Sequence, residues 1–388
     1  MLKVPSERCP AAAQPLSYDT VALVLQGGGA LGAYQAGVYE GLHEAGIRPN
    51  WVAGISIGAL NAAIIVGSPE AERVDRLREF WEILCTEPLK WSFDEGLRDT
   101  MPFAFDLRSL RNGMAAMRAL FQGQPGFFKP RFPPPLWSPF SGDAATSFYD
   151  TSPLNGTLER LVDFNLLNSG GVRVSVGAVN VRTGNLIYFD TAERRLGPKH
   201  FMASGALPPG FPAVEIDAEH YWDGGMVSNT PLSLVLSGEP RSTLIFQVDL
   251  WSAKGRLPSD IMEVSNRQKE IQYSSRTRAV TDQALRLQKM RQMLRRTIEK
   301  LPEGAKQDPE IRAIAGMATS RAYNIIHLIY QSKNYEGQSK DYEFGMGAMR
   351  AHWQSGLDDT RRTLANPQRL NPPPPESGIV THDIHRSN

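Results

Sequence analysis

The stretch VALVLQGGGALGAYQAG, residues 21–37, constrains the fold more than any other part of the chain. Residues 21–25 are apolar without alternation, as a strand buried on both faces requires. A glycine cluster follows at once, and then GAYQAGVYEGLHEAG, residues 32–46, which reads as a helix. A strand, a glycine turn and a helix in that order open an α/β sheet with helices on both faces and mainly parallel strands. Gly27, Gly29 and Gly32 satisfy G-x-G-x-x-G, so backbone N–H groups at a helix start are offered to an anion. Two guests fit that spacing: the pyrophosphate of a dinucleotide, or a negative charge that exists only during a reaction.

The next elements discriminate between them. WVAGIS, residues 51–56, reads as a second strand, and IGALNAAIIVG, residues 57–67, as a second helix. A dinucleotide fold wants an acid at the end of that strand to hold the ribose hydroxyls. Residues 46–68 contain neither Asp nor Glu. The strand runs instead into Gly54-Ile55-Ser56-Ile57-Gly58, which is G-x-S-x-G. A serine lifted on a sharp strand-to-helix turn needs small residues two before and two after it, because the turn brings neighbouring backbone close. Later strands are expected at 172–181, 184–190 and 243–250.

A nucleophilic serine needs a base and donors for the oxyanion it creates. In the order Ser, Asp, His the available histidines are His327 and His352, but that fold puts its serine after several strands, and Ser56 follows only the second. Asp223-Gly224-Gly225 offers another base, an acid at a turn whose glycines allow close approach.

Four motifs stand in order: Gly27-Gly28-Gly29-Ala30-Leu31-Gly32, then Gly54 to Ala62 (GISIGALNA), ASGALPPGFPAVEI from Ala203, and Asp223-Gly224-Gly225. Together they resemble the bacterial patatin-like phospholipase family over residues 18–250. The resemblance implies a three-layer α/β/α fold that hydrolyses lipid acyl esters with a Ser-Asp dyad and needs no cofactor or metal. It implies Ser56 as nucleophile and Asp223 as the base that takes its proton directly. Gly27, Gly28 and Gly29 fall where the family's oxyanion loop lies, Ile57 N–H adds a donor, and Gly32, Gly54, Gly58, Gly224 and Gly225 shape the turns. Many members carry Arg or Lys where this chain has Leu31, so the loop lacks that charge. The implied reaction is of phospholipase A or lysophospholipase type. The alternatives are an esterase for neutral lipid or storage polyester, and a non-catalytic lipid-binding module.

The rest of the chain divides into an arm at 1–17, a mostly helical basic region at 251–370 resembling an extension on some relatives, and a proline-rich spacer and tail at 371–388 with His382 and His385. Within the catalytic part, residues 101–140 are a candidate lid or interfacial insertion, with Arg108, Arg111, Arg118, Lys129 and Arg131 against the single acid Asp106. Residues 261–300 hold ten bases and four acids, a net of +6, and Leu287, Met290, Leu294 and Ile298 recur at helix spacing. Such a helix suits an anionic lipid surface, whereas nucleic acid is not expected, since only Tyr273 offers a stacking ring among the bases. The whole chain has a formal net charge of +1, so any electrostatic preference is local. Cys9 and Cys85 have neither metal nor redox spacing. With no continuous apolar segment near 20 residues and no signal-like start, the expected location is cytoplasmic, with peripheral membrane contact.

Overall fold

The computed structural model describes residues 16–85, 116–137, 145–237, 241–274, 277–318, 322–332, 339–374 and 378–383. In chain order the strands are β1 (Thr20–Leu25), β2 (Trp51–Ile55), the short pair β3 (Lys129–Pro130) and β4 (Tyr149–Asp150), β5 (Arg173–Asn180), β6 (Leu186–Asp190), β7 (Val214–Ile216), β8 (Glu219–Asp223), β9 (Thr243–Asp249), β10 (Tyr323–Ile329) and β11 (Ile379–Asp383). All but β3 and β4 form one nine-stranded sheet in the order β11-β10-β9-β1-β2-β5-β8-β7, with β6 also on β5. The run from β11 to β5 is parallel, and β6, β7 and β8 pair antiparallel.

The unbroken apolar run of β1 is explained by its two faces. Val21, Leu23 and Leu25 belong to the larger core, Ala22 and Val24 to the smaller one behind the sheet. The larger core is filled by α1 (Ala33–Glu44), α2 (Ile57–Val66), α3 (Arg73–Leu84), α4 (Ser152–Leu161) and α5 (Pro198–Ser204). All ten residues of α2 are buried, the expected fate of a helix with no polar face. On the other face lie α6 (Leu232–Ser237) and, after α7 (Ile261–Tyr273), α8 (Thr277–Glu299).

Beyond residue 250 the described residues are mostly helical, but this part is not an appendage. β10 and β11 extend the sheet past β9, so an apolar edge is covered and the stretch expected as a spacer and tail contains a strand carrying His382, while His385 lies outside the described residues. The last helix, α9 (Met346–Leu364), lies along α1. Helix-interior glycine is normally unfavourable, yet α1 carries Gly37 and Gly41. A Cβ at Gly37 would meet the Trp353 carbonyl at 1.9 Å, and one at Gly356 would meet the Tyr34 carbonyl at 2.0 Å. The glycines let the two helix backbones touch. The Tyr34 hydroxyl donates to Asp359 at 2.8 Å across the same contact.

The stripe predicted on the basic helix is turned differently. α8 packs Val280, Ala284 and Leu285 on the smaller core; of the predicted stripe Leu294 and Ile298 are half-buried, while Leu287 and Met290 are exposed together with Met293. In the expected insertion, Asp106, Arg108 and Arg111 lie outside the described residues. The described part, 116–137, is anchored by Phe127 and Phe128 against Tyr149 and Phe211.

Candidate active site

Register brings the two expected catalytic residues together. β2 runs parallel to β5 and ends at the pair Ile55↔Gly177; β8 runs antiparallel to β5 and ends at the pair Asp223↔Ala178. β6 occupies the opposite edge of β5 over these residues, so β2 and β8 share one edge and meet end to end at consecutive residues, 177 and 178. Ser56, the residue after β2, and Asp223, the last of β8, therefore face one another although 167 positions separate them in the sequence. The Ser56 hydroxyl lies near enough to the Asp223 carboxylate to favour its ionised form.

Ser56 has φ 55° and ψ −126°, a strained backbone for a residue with a side chain and the signature of a nucleophile elbow. The flanking glycines are required sterically: a Cβ at Gly54 would lie 2.4 Å from the Gly58 carbonyl oxygen, and one at Gly58 would lie 2.4 Å from that of Leu25. The elbow is tied down by a residue without an assigned role at the sequence level. Ser204 Oγ accepts from Ser56 N at 3.0 Å and donates to the Gly177 carbonyl at 2.6 Å, fully buried. The neighbouring Ala206 carbonyl accepts Asp223 N–H at 3.0 Å. The motif beginning at Ala203 thus anchors both halves of the pair.

Asp223 is 2% exposed. Burial pushes its carboxyl up to about 6, against the Ser56 hydroxyl and the Gly225 N–H, which both stabilise the ionised form. The Gly225 N–H bond is 2.7 Å long. A buried, partly basic carboxylate beside an accessible serine hydroxyl can draw a proton from it.

The glycine loop lies beside this pair. A Cβ at Gly27 would meet Ser56 Cβ at 3.0 Å and Asn229 Oδ1 at 2.3 Å. One expectation is corrected here: the Gly27 N–H is spent on the Asn229 carbonyl at 3.1 Å, so Gly27 holds the loop and is not a free oxyanion donor. Its carbonyl accepts from Asn229 Nδ2 and Trp251 Nε1, both at 3.0 Å. Gly28 and Gly29 N–H make no intramolecular bond among the described residues, and Ile57 N–H, at the first position of α2, is likewise unspent. Leu31 is completely buried in the larger core, so its position contributes packing to the loop. Asn229 and Trp251 were not legible as site residues; both gain their meaning from contact with Gly27.

The histidines serve elsewhere. His327 Nε2 pairs with buried Asp249 Oδ2 at 2.6 Å, and His352 meets Tyr330 edge to face. No group of three His, Cys, Asp or Glu side chains suited to a metal occurs among the described residues. An open cleft lined by Thr20, Trp51, Arg173 and Thr243 sits at the opposite ends of the strands, roughly 15 Å from the elbow at 3.3 Å per strand residue, and has neither Ser nor Cys in its lining.

Residues 23–236 match the family model described as patatin-like phospholipase, and residues 271–376 match a second model described as patatin phospholipase. The chain belongs to the patatin-like phospholipase family. Patatin-like phospholipase domain-containing protein 6 of mouse and of human are each 30% identical to it over 237 residues, which are 61% of this chain and 14% of theirs. The chain thus matches a small part of those relatives' length. A crystal structure of VipD from Legionella pneumophila aligns with 90% of this patatin-like chain and 67% of that one, at 14% identity and a TM-score of 0.39. No described helix of this patatin-like chain is long and apolar enough to cross a membrane.

Proposed function

We propose that this patatin-like protein is a serine acyl hydrolase that cleaves carboxylic esters of lipids through an acyl-enzyme on Ser56, with Asp223 as base. The observation that carries this reading is the register of β2 and β8 on β5, which sets the half-buried Ser56 beside the buried carboxylate of Asp223. Ser56 Oγ attacks the ester carbonyl while Asp223 takes its proton. The oxyanion is met by Gly28, Gly29 and Ile57 N–H, with the positive end of α2 behind the last of these. Protonated Asp223 then passes its proton to the departing alcohol. A water molecule attacks the acyl-enzyme by the same route in reverse, regenerating Ser56 and releasing a fatty acid.

A lipid substrate suits the surroundings. Leu207, Met226 and Val227, on the segments that hold Asp223, are exposed. Residues 116–137 add an exposed set, Phe121, Phe132, Leu136 and Trp137, beside Arg118, Lys129 and Arg131, with no acid in that segment. Backbone bonds tie this set toward the site: Arg131 N to the Phe148 carbonyl at 3.0 Å, Phe148 N to the Pro209 carbonyl at 3.1 Å, then Leu207 beside Ala206, whose carbonyl accepts from Asp223 N. Aromatic rings flanked by bases favour the headgroup layer of an anionic bilayer.

A fluorophosphonate probe tests the chemistry. It should label Ser56 in wild type and not in Ser56→Ala, alongside fatty-acid release from phosphatidylglycerol vesicles. A folded wild type that neither labels nor releases fatty acid would refute the enzymatic reading and leave a lipid-binding module.

A further inference from the structure

We infer that Asp341 and Lys269, from the region after residue 250, are positioning residues that set the oxyanion loop for reaction. The inference rests on the acyl-hydrolase reading above and assigns to the C-terminal part a role that family membership alone does not supply.

The loop receives its outer support from outside the segment that carries the motifs. Ala30 N–H, next after the unspent donors of Gly28 and Gly29, gives its hydrogen bond to the Asp341 carbonyl at 2.8 Å. Gly29, at φ +55°, is packed so close that a Cβ there would stand 2.0 Å from that same oxygen. Where the Asp341 backbone sits therefore decides where the donors sit. Asp341 is in turn held through its side chain: Lys269 Nζ, on α7, lies 3.0 and 3.1 Å from the two carboxylate oxygens, with both side chains partly buried.

The same helix grips the other side of the loop. The carbonyl of Tyr273, the last residue of α7, accepts from Gln26 Nε2 at 3.1 Å and from Asn229 Nδ2 at 2.9 Å, and Asn229 fixes Gly27. One residue before Asp341, Lys340 is 1% exposed and bonds Glu270 of α7 at 2.8 Å, over the ring of Trp251, whose Nε1 holds the Gly27 carbonyl. Residues 269–273 and 340–341 thus form one brace around residues 26–30. An oxyanion donor acts only if it is preorganised, and a shift of about 1 Å costs up to about 100-fold in rate.

The test compares Lys269→Met, Asp341→Asn and Lys269→Arg with wild type. The readouts are kcat and KM on a p-nitrophenyl ester, the fluorophosphonate labelling rate, the melting temperature, and amide hydrogen exchange over residues 26–32. Lys269→Met and Asp341→Asn keep the main chain but release the ion pair. Each should lower kcat and the labelling rate about 5- to 20-fold with KM within about 2-fold, and speed exchange over 26–32. Lys269→Arg should restore most of the rate. If wild type turns over and the two variants match it in kcat, labelling and exchange, the brace is refuted while the hydrolase reading stands. Equal loss in a variant whose exchange rises throughout the sheet marks general unfolding and also overturns it. A wild type inert to ester and probe removes the hydrolase reading and the positioning role with it.

Discussion

The oxyanion loop has two flanks of different origin. On one side stand the ends of β2 and β8 over β5, with Ser56, Ser204 and Asp223. On the other stand Tyr273, Lys340 and Asp341 from the C-terminal region. The first flank supplies reactive groups and is dense in small residues, because a strained turn and close backbone contacts admit nothing larger. The second supplies carbonyls and ion pairs whose side chains are ordinary for a surface, Lys, Asp and Glu. The contrast teaches that chemistry and its preorganisation are encoded in different vocabularies: one short and sterically exacting, the other spread over long sequence separations.

Substitutions on the first flank should be the more damaging. Ser56→Ala should lower kcat by about 10⁴-fold or more, measured on a chromogenic ester with the melting temperature unchanged within a few degrees. Asp223→Asn should cost about 10³- to 10⁴-fold, and in wild type kcat/KM should fall tenfold per pH unit below about 6, where the base becomes protonated. A flat profile from pH 4 to 8 would assign the proton to another group.

Asp223 also makes a stability prediction with a definite sign. Its folded pKa is raised above the ordinary carboxylate value of about 3.9, so the stabilisation from proton uptake is complete below about pH 4 and lost as pH rises through about 6. At neutral pH the ionised, buried group opposes folding. Asp223→Asn should therefore melt higher than wild type at pH 8 and show no such advantage at pH 4. An unchanged melting difference across that range would contradict the raised value.

The boundary between the flanks is open to finer tests. Gly29→Ala forces a Cβ onto the Asp341 carbonyl at a positive φ, and should reduce kcat about 100-fold and destabilise the fold by more than about 2 kcal/mol. Gly46→Ala, with φ +72° and nothing within 4 Å, should cost only the backbone strain of about 1 kcal/mol and leave activity intact. Ser204→Ala removes the buried hydroxyl that links Ser56 N–H to Gly177. The loss should be about 1–3 kcal/mol, read as a drop in melting temperature with up to about 100-fold lower kcat. If Gly29→Ala and Gly46→Ala behaved alike, the close packing of Asp341 on the loop would have no functional meaning.

Much of the first flank was legible in the sequence. Strand, glycine turn and helix at 20–44 and the elbow at Ser56 rest on local rules of burial periodicity, close backbone approach and permitted turn conformations, whereas Asp223, in a common kind of turn, was singled out only by the order of motifs the family shares. The misreadings share one cause. Gly27 was expected to donate to an oxyanion, but its N–H is taken by the Asn229 carbonyl, 202 positions away. The stripe on α8 was predicted from spacing alone, whereas the smaller core, with α6 in it, takes Val280, Ala284 and Leu285. Ser204 lay inside a recognised motif, yet its link to Ser56 N depends on the register of β5.

By itself the sequence determined that a parallel α/β sheet would carry a glycine turn and a strained serine, because each is a property of a few consecutive residues. Only the tertiary structure decided that β2 and β8 end at adjacent residues of β5, that the chain beyond residue 250 enters the same sheet, and which N–H groups stay unspent. The physical reason is that pairing register and hydrogen-bond allocation are settled by competition among partners distant in the chain, and no local pattern records its outcome.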